Sequence, residues 1–265
     1  LVLIGGWGSL SAQSAGSNYS RQVNTLIGTK GVGLTSGYLY PGATYPYGMV
    51  QFTPSYFSKR SGFVINQLSG GGCEHMGNFP TFPVKGKLKM SPDNILNYRI
   101  NISEEKGHAG YYEAMVQEDI KAKLTVTERT GMASYEYPAD QQYGTVIIGG
   151  GISATPIEQA AIVITAPNKC EGYAEGGNFC GLRTPYKVYF VAEFDTDALE
   201  SGTWKRNELK PNTTFAEGEY SGVYFTFDVN KKKNIQYKIG VSYVSVENAR
   251  ENLNCLLYTS DAADD

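Results

Sequence analysis

The residues best suited to chemistry fall in one stretch, Tyr40–Val84, which reads YPGATYPYGMVQFTPSYFSKRSGFVINQLSGGGCEHMGNFPTFPV. Asn66 and Gln67 carry carboxamides, each a donor and an acceptor, matched to sugar hydroxyls. Gly70, Gly71 and Gly72 let a backbone approach a ligand closely and expose amide donors. Tyr40, Tyr45, Tyr47 and Phe63 can present flat apolar faces to the C–H face of a pyranose. Glu74 is the one carboxylate in a plausible pocket loop, and Arg60 offers a charged donor to a hydroxyl or carboxylate. Cys73 lacks a base that would make it a nucleophile, so it counts as a small residue of the same binding edge. The competing reading is a buried strand-turn-strand whose tyrosines form an interface core.

Bond-breaking chemistry has less support. Glu104 and Glu105 fall in a charged turn, while Glu128 and Glu136 read as solvent-facing partners of Lys and Arg. His75 reads as structural or substrate-touching, and His108 as a surface residue. No paired acid and base emerge, so no catalytic residue is assigned. Calcium takes about six to eight oxygen ligands, usually with clustered carboxylates. Asp195 and Asp197 come nearest and read as a turn, so no metal site is assigned.

Bulk properties narrow the class. The chain has 265 residues, 41% hydrophobic and 18% charged, with 31 glycines and 20 tyrosines. Low charge, many aromatics and frequent turn residues favour a strand-rich, extracytoplasmic protein. The formal charge is 23 minus 26, or −3, which leaves no basic footprint for nucleic acid. No stretch of about twenty apolar residues is present to span a membrane.

The elements that must position the edge are strands. Period-two alternation recurs at Ile120, Ala122, Leu124 and Val126, and at Tyr98, Ile100 and Ile102. Further strands are expected at 111–117, 132–137, 144–149, 161–166, 186–194, 221–229 and 235–244, with a short one at Val23–Thr29. Turns between them are rich in Gly, Pro, Asn and Asp. More than ten short strands predict an all-β fold, two antiparallel sheets packed as a β-sandwich. At Ser245 the pattern changes. An N-cap at Ser245, Glu247 in the first turn and Val246, Ala249 and Leu253 on one face predict the start of a helical linker.

The expected division is a signal-peptide remnant or disordered start (1–17), with a frayed or buried N-terminal strand as the alternative, a β-sandwich (18–244), the start of a helical linker (245–254) and a tail that reads as non-native (255–265). The signal-like start points to the periplasm or the cell exterior. In such a compartment Cys170 and Cys180, flanking EGYAEGGNF, could close a hairpin as a disulfide; two unpaired cysteines are the alternative.

Seven ordered blocks carry a family resemblance: VNTLIGTKG (23–31), YPGATYPYGMVQFTP (40–54), SGFVINQLSGGGC (61–73), GHAGYYEAMV (107–116), IKAKLTVTERTGMASYEYP (120–138), YKVYFVAEF (186–194) and IGVSYVSVENARENL (239–253). Together they resemble the N-terminal domain of glycoside hydrolase family 92, calcium-dependent exo-acting α-mannosidases. The resemblance implies a sandwich leading through a helical linker into an (α/α)-barrel that carries the catalytic acid, the base and most calcium ligands. It implies a mannose-containing glycan as substrate and the missing C-terminal helical domain as partner. The sandwich would lend Asn66, Gln67, Gly70, Gly72, Cys73, Glu74 and Arg60 to the sugar pocket, and alone would be inactive. The alternative is a stand-alone carbohydrate-binding β-sandwich module.

Overall fold

The computed structural model describes residues 22–29, 39–55, 62–73, 75–95 and 101–255. Arg60, Glu74, Tyr98, Ile100, residues 1–17 and the tail beyond Cys255 lie outside them. In chain order the first strands are β1 (Ala43–Thr44), β2 (Gln51–Pro54), β3 (Phe63–Val64) and β4 (Thr81–Lys85), then a short helix, α1 (Pro92–Ile95). Next come β5 (Ile102–His108), β6 (Tyr111–Val116), β7 (Ile120–Val126), β8 (Thr130–Glu136), β9 (Tyr143–Gly149) and β10 (Ile157–Ala166). They are followed by β11 (Lys169–Phe179), β12 (Leu182–Phe194), β13 (Glu200–Lys205) and β14 (Glu208–Pro211). Last are β15 (Phe215–Glu217), β16 (Ser221–Asp228), β17 (Asn234–Ser242) and a helix, α2 (Val246–Asn254).

Eight strands form one sheet in the order β1-β2-β3-β4-β9-β16-β13-β14, and nine form the other, β15-β10-β11-β12-β17-β8-β7-β6-β5. The two sheets pack face to face over the apolar side chains that alternate along strands such as β6, β7 and β8 and over the almost wholly buried strands β9 and β16. In β7, Ile120, Ala122, Leu124 and Val126 are buried while Lys121, Lys123 and Thr125 are not. Phe194 of the nine-stranded sheet joins the two layers, with ring centroids 4.9 Å from Phe225 and 5.1 Å from Phe227 of the other sheet. The Tyr237 hydroxyl reaches across the same gap to Thr81 Oγ1 at 2.5 Å, so that buried hydroxyl is satisfied.

Four expectations need correction. Val23–Thr29 is a run of turns, because Asn24 Oδ1 accepts the Leu26 amide at 3.0 Å and its carbonyl accepts that of Ile27. Phe63 does not face solvent: it is fully buried and stacks on Tyr135 with centroids 6.2 Å apart. Glu104 and Glu105 lie within β5, where a register shift between Ser103 and Lys106 and a φ of 52° at Glu104 mark a bulge. The Cys170–Cys180 disulfide does not form. EGYAEGGNF is not a loop but most of β11, so the two cysteines sit at opposite ends of one strand, roughly 33 Å apart at about 3.3 Å per residue. Disulfides span Cα separations of about 4.4–6.8 Å. Cys180 instead bridges to Cys73, with a Cα–Cα distance of 5.4 Å, and Cys170 is a free, buried core residue. Burial pushes its thiol pKa up, so it packs as a small apolar group.

The C-terminal helix begins where its cap residue stands. Ser245 Oγ accepts the Asn248 amide at 3.1 Å, and Ala249 and Leu253 pack on Val191 of β12. Asn252 Nδ2 donates to the Val241 carbonyl and the Thr130 hydroxyl donates to the Asn252 carbonyl, both at 2.8 Å. Those bonds fix α2 against the outer face of the nine-stranded sheet.

Candidate functional site

Between β3 and β4 the chain leaves the sheet, and its polar residues gather at one end of the sandwich. Asn66 and Asn78 form the floor. Asn66 Oδ1 accepts the Asn78 amide at 2.8 Å, and Asn66 Nδ2 donates to Asn78 Oδ1 at 3.1 Å and to the Tyr243 hydroxyl at 3.4 Å. Tyr186 of β12 donates to Asn78 Oδ1 at 2.7 Å. Burial raises the pKa of Tyr186, opposed by the bonds to Asn78 and Ser153, and burial likewise raises that of Tyr243. Both hydroxyls are therefore neutral donors at physiological pH.

Not every group of the floor is used. Gln67 is 1% exposed, yet neither its Oε1 nor its Nε2 has a partner among the described residues, and Asn78 Nδ2 has none there either. A Cβ placed at Gly77 would come 3.7 Å from Gln67 Cδ, which sets that carboxamide beside the residue preceding Asn78. Each unsatisfied buried group costs about 1–3 kcal/mol. A buried group left this way calls for an explanation, such as an ordered water or a ligand.

Above the floor runs the glycine loop. Gly70 and Gly72 are exposed with φ of 72° and 76°, and a Cβ at Gly72 would meet nothing within 4 Å. Residues 67–73 belong to no strand and contain one turn, at Ser69–Gly70. The loop is held at its far end by the Cys73–Cys180 bridge and by His75. His75 Nδ1 lies 3.3 Å from the Asn178 carbonyl, and its ring sits edge-on to Phe179 at 5.5 Å and Tyr186 at 5.6 Å.

The sequence-expected residues thus divide. Asn66 and Gln67 come together, but Asn66 spends its amide on holding Asn78 and Tyr243, while Gln67 is uncommitted. Gly70 and Gly72 form the open rim and Cys73 the tether. Tyr45 and Tyr47 are exposed beside β1. Arg60 and Glu74 fall outside the described residues. Sequence reasoning missed Asn78, Tyr186 and Tyr243, which lie in or next to strands whose alternation gives no sign that their polar tips converge. The assembled groups are amides and hydroxyls, and among the described residues no three His, Cys, Asp or Glu side chains gather. This donor set does not fit calcium, which favours carboxylates.

The sequence model of the glycosyl hydrolase family 92 N-terminal domain matches residues 22–242. The chain belongs to that family. A curated relative from Arthroderma benhamiae, an uncharacterized secreted glycosidase, is 31% identical over 88% of this chain and 34% of its own length. A family 92 α-mannosidase of Bacteroides thetaiotaomicron, solved with mannoimidazole, superposes with a TM-score of 0.78 at 24% identity over 91% of this chain and 34% of its own. An inverting mannosidase of the same family and species gives 0.74 at 23% identity over 89% and 33%. The likeness to the solved structures establishes the shared fold, and the chain spans about a third of the length of these relatives. The matched region is the family's N-terminal domain.

Proposed function

We propose that this domain forms the non-catalytic wall of the sugar pocket in a secreted or periplasmic, inverting exo-α-mannosidase. The observation that carries the reading is the pair of unsatisfied carboxamide groups, Gln67 and Asn78 Nδ2, beneath an open glycine loop. A sugar hydroxyl both donates and accepts, so one ring edge can satisfy both. Gly70 and Gly72 amides meet the ligand first. Gln67 is engaged, directly or through a water, once the loop, which belongs to no strand, yields. The relatives' descriptions as α-mannosidases and as a secreted glycosidase support the sugar class and the compartment.

The chemistry belongs elsewhere in the parent protein. Inversion needs two carboxyl groups about 6.5–9.5 Å apart with a water between them. The floor offers neither that pair nor a calcium cage, so acid, base and calcium ligands come from a helical catalytic domain. The rim suits such a partner: Leu68, Leu182, Tyr243 and Val244 are exposed by 41, 71, 38 and 74% around the loop. An apolar rim of this kind favours docking over life as a free binding module. From there α2 would lead onward as the linker.

The test uses the chain itself. With calcium present it should release no nitrophenol from 4-nitrophenyl α-mannoside, and turnover would overturn the non-catalytic assignment. Saturation-transfer difference with methyl α-mannoside should report contact in the wild type and not in Gln67→Met. Equal signals from both, or none from either, would remove the recognition role.

A further inference from the structure

The Cys73–Cys180 bridge lies where backbone geometry does not call for cysteine. Phe179 pairs with Leu182, so Cys180 and Gly181 form a two-residue hairpin turn with φ of 53° and 85°. Such turns select Asn, Asp or Gly, since a side-chain Cβ crowds the left-handed region. A cysteine there is explained by its partner. The turn also stands clear of the sheet. β11 last meets β10 at Gly176, and β12 first meets β17 at Tyr189, so the hairpin beyond the Gly176–Tyr186 pair projects with only its own two strands as ladder partners. A two-stranded hairpin standing alone is marginally stable in water.

Two segments outside the main ladders are therefore joined by one covalent bond: the glycine loop, which belongs to no strand, and the projecting β11–β12 arm. Non-covalent support comes from His75 against Asn178, Phe179 and Tyr186, and from the close approach of Gly71 to Phe179, whose ring would lie 3.3 Å from an added Cβ. Cys180 is exposed and Cys73 half-buried, so the bridge lies at the surface of the domain.

We infer that the Cys73–Cys180 bridge is a thiol-sensitive latch that holds the glycine loop in register with the β11–β12 arm, so that the recognition edge is complete only in the oxidised chain. The pair are positioning residues. A dithiol reductant delivers two electrons and two protons: the S–S bond breaks, two thiols form, and the reductant closes to its own cyclic disulfide. Loop and arm then move separately, and Gln67 loses the lid that presents sugar to it. The effect on sugar rests on the proposed recognition role; the latch itself does not.

The experiment compares the oxidised chain with the same chain after dithiothreitol, by hydrogen–deuterium exchange and mass spectrometry. Amides of 67–73 and 178–186 should exchange at least tenfold faster once reduced, while β9 and β16 stay protected on that timescale, and reoxidation should restore the original rates. Unchanged loop exchange would overturn the latch. So would β9 and β16 exchanging together with the loop, because the bridge would then hold the whole fold. The Cys73→Ser/Cys180→Ser double variant should behave as the reduced chain, even in oxidising buffer. In parallel, affinity for methyl α-mannoside should fall at least fivefold on reduction. If the oxidised chain binds no mannoside, the recognition role fails while the exchange data still decide the latch.

Discussion

Replacing Gln67 by methionine should make this domain more stable and take away its ligand. The side chains match in length and approximate volume, and volume-conserving swaps in a packed site cost less than about 1.5 kcal/mol. Against that stands the relief of two polar atoms of a residue that is 1% exposed, neither with a partner among the described residues. Leaving a buried amide unsatisfied costs about 1–3 kcal/mol. The net expectation is a gain of about 1–2 kcal/mol, which at roughly 2–4 °C per kcal/mol for a domain of this size raises the midpoint by several degrees. Urea unfolding followed by tryptophan and tyrosine fluorescence measures it, with an unchanged m-value showing that the unfolded state is the same. A loss of more than about 1 kcal/mol would refute the reasoning, because Gln67 would then hold a structural partner such as a buried water. Exchange of stability for binding is the pattern expected of a residue kept for function.

Other outcomes follow from the same structure. Tyr186→Phe removes one hydrogen bond to Asn78 Oδ1, which keeps the bond from Asn66, so thermal unfolding should show a loss of about 0.5–1.5 kcal/mol. Phe194→Ala, which opens a cavity among Phe225, Phe227 and Tyr237, should cost about 3–5 kcal/mol in denaturant titrations. Burial raises the pKa of Tyr137 and Tyr237 above the ordinary value of 10.0. Folding thus favours their neutral form: that stability is complete below about pH 10 and declines as pH rises toward the folded values, so phenolate absorbance of the core tyrosines should appear together with alkaline unfolding. Thiol titration of the denatured, unreduced chain should count two thiols from Cys170 and Cys255; four would remove the bridge.

The sandwich was legible because its long strands alternate over large side chains, as Ile120–Val126 does, and because Ser245 supplies a helix cap that needs no tertiary help. β11 was not. Its inward positions are Cys170, Gly172, Ala174 and Gly176, too small to mark a period, and at Gly172 a Cβ would fall 2.2 Å from the Ala161 carbonyl. Glycines that read as a loop are there because a neighbouring strand passes close. The disulfide followed the same misreading: two cysteines near in sequence were kept apart by an extended strand, and the true partner lay 107 residues away. At the site, Gln67 and the glycine loop were visible as residue types suited to hydroxyls. Asn78, Tyr186 and Tyr243 were not, since only pairing of the sheets brings β12 and the end of β17 to the β3–β4 connection.

The central claim is that this domain recognises a mannose unit through Gln67, Asn78 and the glycine loop. Two-dimensional 1H–15N spectra of the chain, titrated with methyl α-mannoside, test it most directly. The account predicts saturable shifts in the side-chain NH2 signals of Gln67 and Asn78 and in the backbone amides of Gly70 and Gly72. Shifts confined to another surface, or none at these four residues at saturating mannoside, would contradict it.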